Sequence, residues 1–126
     1  MNTRKRRILI FIDWFTPAYK AGGPIKSISN FVNHLSGDFN LFIVTSDRDL
    51  GDNEPFRNIK FNDWIQNDEY SIIFLSKDCQ KATFYHSILK KIKPDSIYLN
   101  SLFSYRFSIL PLFCFRNIEK PIFLSP

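Results

Sequence analysis

A chain of 126 residues, 44% hydrophobic and 23% charged, is sized for one domain with a real core, which excludes a disordered segment or a small disulfide-dependent module. Its formal charge of +5 is concentrated: Arg4, Lys5, Arg6 and Arg7 supply four of the 17 basic residues, and the 13 that remain stand against 12 Asp and Glu. With no basic stripe over the body, nucleic acid is not expected as a partner; a solvated N-terminal arm is the plain reading and attraction to an anionic membrane surface the alternative.

The arm and the apolar run 8–12 imitate the start of a signal peptide, but Asp13 ends that run after five residues and no small-residue cleavage site follows. A membrane span needs about 20 apolar residues, and no run approaches that. Instead 8–12 reads as a strand buried on both faces, because it is apolar throughout and does not alternate. The loop "DWFTPAYKAGG" follows. Pro24 suits the first helical position, and Ile25, Ile28, Phe31, Val32 and Leu35 recur at helical spacing before Gly37 ends the helix. A second strand spans 41–44. The polar excursion 47–70 has no sustained periodicity and is long for a connector, which marks it as functional or loosely held.

A third strand spans 71–75, then a helix spans 80–92 with Phe84, Ile88, Leu89 and Ile92 on one face, stopped by Pro94. A short strand at 97–99, a helix over 104–116 kinked near Pro111 and a last strand at 121–124 complete the series. Short apolar strands alternating with helices predict an α/β fold: a doubly wound, mostly parallel sheet of about five strands, with helices on both faces. The whole chain, 1–126, is expected to be a single domain.

In such a sheet, ligands bind beyond the carboxyl ends of the strands. That points to 13–23, 45–49 and 100–105. Gly22 and Gly23 permit close backbone approach and positive φ, and the helix start behind them offers unpaired N–H groups and a dipole end, with Lys26 in the first turn. An anion site and a mere turn-shaping role stand side by side. Asp13, Asp47 and Asp49 can reach the strand tips as acids, bases or acceptors of sugar hydroxyls, although turn formation explains each singly.

Other chemistries have little support. "GGPIKS" lacks the spacing of a P-loop, and there is no G-x-G-x-x-G. His34 and His86 fall inside helices away from the expected cleft, and Cys79 and Cys114 suffice for neither a zinc site nor a disulfide framework, so no metal is expected. The segment "YRFSILPLFCFRNIEK" reads first as core packing, with contact at a lipid-water interface through Phe107, Leu110, Leu112 and Phe113 as its alternative.

The opening strand, "FTPAYKAGGPIKSISNFVNHL" and the following strand with "TSDRD" together resemble the N-terminal half of family 4, GT-B fold glycosyltransferases, the group 1 enzymes of bacterial polysaccharide assembly. "DRDLGDNEPF", "NDW" and "IYLNSLFS" extend the similarity over nearly the whole chain. The resemblance implies a Rossmann-like domain forming the acceptor-side wall of a two-domain, hexosyltransferase-type enzyme. Such an enzyme moves a sugar from a nucleotide-sugar donor to a glycan or lipid-linked acceptor, with no cofactor.

By that resemblance Gly22 and Gly23 lie near the donor diphosphate and the acceptor, Lys26 matches the basic position after them, and Asn100 and Ser101 occupy a loop of the acceptor side. With Asp13 and Asp47 at the strand tips, Asn100 and Ser101 make up the expected acceptor-side cleft. Many relatives carry a histidine in the loop where Asn100 and Ser101 stand; it is missing here. The family's second domain, with its E-x7-E carboxylates, binds most of the donor. The 126-residue polypeptide alone is therefore expected to be inactive, and "KPIFLSP", which stops at a strand tip, reads as the end of a piece of a longer transferase. A cytoplasmic location with peripheral contact at the inner membrane face is the matching expectation. A noncatalytic binding module, or a split-enzyme subunit serving a separate donor-binding chain, is the alternative. A receiver-like domain phosphorylated on Asp13 is a third reading, weakened because the third strand ends "FLSKD" with no carboxylate at its tip.

Overall fold

The computed structural model describes residues 5–100 and 104–125. In chain order it has β1 (Arg6–Ile12), α1 (Gly23–Leu35), β2 (Phe39–Ser46), β3 (Trp64–Gln66), β4 (Ser71–Leu75), a 3-10 turn (Lys77–Cys79), α2 (Ala82–Ile92), β5 (Ser96–Asn100), a π-helical turn (Tyr105–Ile109), α3 (Leu110–Phe115) and β6 (Ile122–Ser125). The strands form one α/β sheet in the order β3-β4-β2-β1-β5-β6, parallel throughout except for β3.

The apolar run of β1 is buried because it sits in mid-sheet with cover on both sides. Leu9 and Phe11 join Tyr85, Ile88 and Phe115 of the α2 and α3 side, whereas Ile10 and Ile12 join Ile25, Ile28 and Val32 of α1. Phe11 is the hub of the first cluster, its ring centroid 5.1 Å from Tyr85 and 5.8 Å from Phe115. Full burial of one such side chain contributes about 1.5–3 kcal/mol.

Several boundaries differ from expectation for local reasons. Strand β1 begins at Arg6, so half of the basic arm is sheet. The backbone N–H of Arg7 donates to Asp95 Oδ2 at 2.8 Å, and its Nη1 donates to the Ile92 carbonyl at 2.7 Å, a cation on the last turn of α2. Arg4 lies outside the described residues. On α2, Tyr85 rather than Phe84 takes the deepest position, beside Ile88 and Ile92, while Phe84 and Leu89 are half-buried. The sheet has six strands where about five were expected, the extra one being β3 at the edge beyond β4.

That strand lies inside the excursion 47–70, which is packed rather than loosely held. Asn67 Oδ1 accepts from the N–H groups of Glu69 and Tyr70 at 2.8 and 2.9 Å, and this turn folds β3 back on β4. Upstream, Asn62 exchanges hydrogen bonds with Ser76 and donates from its backbone to the Phe74 carbonyl at 2.7 Å. Phe56, Ile59 and Phe61 lean on the α1-side cluster, Phe56 edge-on to Phe74 at 5.9 Å. Apart from the local Asn67 turn, these anchors reach residues of or just beyond β4 and the α1-side cluster, distant in sequence, so a local periodicity does not reveal them.

Candidate functional site

Parallel strands deliver their carboxyl ends to one edge of the sheet. There β1 runs into Asp13, β2 ends at Ser46 and β4 leads into Lys77. From β1 the chain builds outward first through β2 and β4, then through β5 and β6, so this edge is also where the strand order reverses. An open cleft of about 650 Å³ lies there. Asp13 and Ser46 come from the strand tips, Arg48, Asp49 and Asp52 from the loop after β2, and Lys77 and Gln80 from beyond β4. Ser104 and Arg106 line it from the π-helical turn.

The π-helical turn ends just before Pro111. Ile109 N–H bonds the Ser104 carbonyl at 2.9 Å and Leu110 N–H bonds that of Tyr105, both five residues back. The next donor in this register would be residue 111, which as proline has none, so the Arg106 carbonyl is left over. Tyr85, 21 residues away, fills the place: its hydroxyl donates to the Arg106 carbonyl at 2.6 Å. At the other end Ser104 caps the turn, its Oγ accepting from Phe107 N–H at 3.1 Å and donating to Asp13 Oδ1. One serine thereby ties the tip of β1 to the wall opposite.

The loop after β2 is held equally firmly. Asp49 is buried, and its carboxylate accepts from the backbone N–H of Tyr19 at 3.0 Å, Lys20 at 3.3 Å and Leu50 at 2.7 Å. It latches the loop after β1 to the loop after β2. On the surface of the same junction, Lys20 Nζ meets Asp52 at 2.5 Å, and that hydrogen bond pushes the Lys20 ammonium above its ordinary range. Arg48 is raised likewise, by its hydrogen bond to Asp47.

The expected site residues are divided by this geometry. Asp13 lines the cleft. Asp47 does not: its side chain is buried against Arg48, whose Nε and Nη2 reach it at 2.8 and 3.3 Å, while its backbone bonds Leu75 and Phe56. Asn100 is buried at the end of β5, between Ile12 and Ser125 in register, and is not among the cleft-lining residues. Ser101 lies outside the described residues.

Gly22, Gly23 and Lys26 are exposed at the start of α1 and do not line the cleft either; the Asp49 latch is their link to it. Gly22 caps the helix with φ 68° and ψ −104°, its carbonyl accepting from Lys26 N–H at 3.2 Å. Gly23 is the first helical residue and Pro24 the second. A Cβ at either glycine would have no neighbour within 4 Å, so the space in front of this helix start is open.

Seven of the cleft residues named above were not singled out from the sequence as site residues: Ser46, Arg48, Asp52, Lys77, Gln80, Ser104 and Arg106. Of these only Ser104 had a local signal, as a capping serine ahead of a helical run. Among the described residues no helix is long and apolar enough to cross a membrane, and no three His, Cys, Asp or Glu side chains gather to hold a metal ion. Cys79 and Cys114 are free thiols, and burial pushes the Cys114 thiol up. His34 and His86 are exposed, the latter edge-on to Phe115. No protein-family model, curated protein or solved structure matches this chain.

Proposed function

We propose that this domain is the acceptor-side wall of a sugar-transferring enzyme of the two-domain GT-B type, acting on a nucleotide-sugar donor and a glycan or lipid-linked acceptor. The observation that carries the reading is the cleft at the carboxyl edge of β1, β2 and β4, lined by Asp13, Ser46, Gln80, Ser104 and Arg106. Hydroxyl, amide, carboxylate and guanidinium groups side by side suit a polyhydroxylated ligand, which needs acceptors and donors in alternation. The strand order β4-β2-β1-β5-β6 supports the finer reading of the sheet as doubly wound and Rossmann-like. The open space before Gly22 and Gly23 suits a diphosphate approaching the start of α1.

Transfer needs a second wall. An open cleft neither excludes water nor positions two substrates, and a second wall is needed to enclose the donor and its leaving diphosphate. The 126 residues alone therefore transfer no sugar in this account. Contact with the inner membrane face is part of the proposal. Of the four residues expected at an interface Phe107 is buried and Leu110 half-buried, but Leu112 and Phe113 are exposed beside the cleft together with Tyr105 and Ile109, with Arg116 stacked 4.0 Å over the Phe113 ring.

Reading the coding sequence past the codon for Pro126, and the chains that co-purify with the native protein, tests the two-domain claim. A second α/β domain with a Gly-rich turn and paired glutamates is expected, in frame or in a bound partner. Its absence from both contradicts the transferase reading and leaves a noncatalytic sugar-binding module.

A further inference from the structure

The charges of the cleft are unevenly satisfied. Asp49 has three backbone donors, Asp52 has Lys20, and Arg48 has Asp47. Lys77 and Arg106, both exposed on the opposite rim, meet no carboxylate among the described residues.

Arg106 is nonetheless held in place. Its carbonyl is bonded by the Tyr85 hydroxyl, and its Nη1 lies 3.3 Å from Gln80 Oε1 and 3.4 Å from the Lys77 carbonyl. Gln80 is itself buried and fixed by a 2.9 Å bond from its Nε2 to the Leu75 carbonyl. A guanidinium has five N–H donors, and among the described residues only those on Nη1 find partners, both neutral and at long range. The same contact brings Arg106 against the backbone of Lys77, and both residues line the cleft. An anion seated in the cleft within reach of both cations gains from each of them.

We propose that the ligand of this cleft is a sugar or glycan bearing an oxyanion, either phosphate or carboxylate, received by Arg106 and Lys77 while the sugar hydroxyls lie toward Asp13 and Ser104. The proposal rests on reading the cleft as a sugar site and adds the charge of its ligand. Arg106 supplies a planar pair of donors to two oxygens of the group, and Lys77 a mobile point charge.

The test is titration of the isotope-labelled protein, at low ionic strength, with a neutral hexose, a hexose 6-phosphate, a hexuronic acid and inorganic phosphate. Wild type is compared with Arg106→Gln and Lys77→Gln, both exposed changes whose amide spectra report retention of the fold. The expected result is that an anionic sugar shifts resonances around 77–80 and 104–107. Affinity falls at least tenfold in Arg106→Gln, severalfold in Lys77→Gln, and with added salt. Preference between the phosphate and the uronate identifies the oxyanion. Equal binding of the neutral and anionic sugars, or binding unchanged in Arg106→Gln, overturns the oxyanion site and leaves the sugar reading standing. Inorganic phosphate binding as tightly as hexose phosphate overturns the sugar reading instead.

Discussion

The hydroxyl of Tyr85 donates to the backbone carbonyl of Arg106 at 2.6 Å, taking the place of the N–H that Pro111 lacks. A side chain of α2 thus completes the hydrogen-bonding of a turn that carries one wall of the cleft. Tyr85→Phe removes the donor and leaves that carbonyl unsatisfied, at an expected cost of about 1–3 kcal/mol in a urea unfolding series. Rearrangement around Arg106 should accompany it, read as shifted amide resonances over 104–110. Unchanged stability and spectra would mean that the carbonyl finds water without loss.

The same residue sets an alkaline limit. Burial pushes the Tyr85 hydroxyl well above its ordinary pKa of 10.0. The unfolded chain therefore loses this proton first, the folded state binds more protons, and stability falls as pH rises above about 10. The slope from this one group is about 1.4 kcal/mol per pH unit between the unfolded and folded values. Tyr85→Phe is expected to flatten that part of the curve, measured as the urea midpoint at pH 9, 10 and 11 for both proteins.

The two neighbouring glycines are expected to behave oppositely. Gly22 has positive φ, so Gly22→Ala strains the backbone by about 1–3 kcal/mol although space for a methyl is open. Gly23 is helical with equally open space, and Gly23→Ala is expected to stabilise by about 0.4–1 kcal/mol through the unfolded state. Paired thermal unfolding curves decide it. If Gly23→Ala instead weakens nucleotide-sugar binding in the assembled enzyme while keeping the fold, the close approach of a diphosphate is the reason for the glycine.

Asp49 should be the most sensitive polar residue of the cleft. Asp49→Ala leaves the N–H groups of Tyr19, Lys20 and Leu50 without their acceptor, at an expected cost of about 2–4 kcal/mol. Amide hydrogen exchange over 14–22 should accelerate well before exchange in β1 does. Uniform acceleration across the sheet would contradict a local latch. Asp49→Asn, which keeps one acceptor oxygen, should lie between the two.

Regular elements were legible in the sequence where one segment decides its own fate. The unbroken apolar run of β1, the helical spacing from Ile25 to Leu35 and the short apolar β4 each carry their own period. Strand β3 was not legible, because three residues between Asp63 and Asn67 become a strand only through the turn that lays them on β4. The cleft was legible as a place, through the rule that parallel strands open at their carboxyl ends, but its membership was not. Arg106 meets Gln80 across 26 residues and Ser104 meets Asp13 across 91, and no spacing in the chain announces either pair. Asp47 and Asp49 differ by two positions, yet one is covered by Arg48 and the other lines the cleft. The alternation of a loop leaving a strand does not settle which.

The most direct test of the account is to map where sugars touch this protein. Amide shifts and saturation transfer would be recorded with a panel of nucleotide sugars and oligosaccharides. The expected result is weak, saturable binding of at least one glycan, with shifts clustered at Asp13, Ser46, Gln80 and Ser104–Phe107 and lost in Asp13→Asn. No binding by any member of the panel, or shifts gathered at the opposite edge of the sheet around Leu89, Lys93 and Ile118, would contradict the assignment of this cleft as a sugar site.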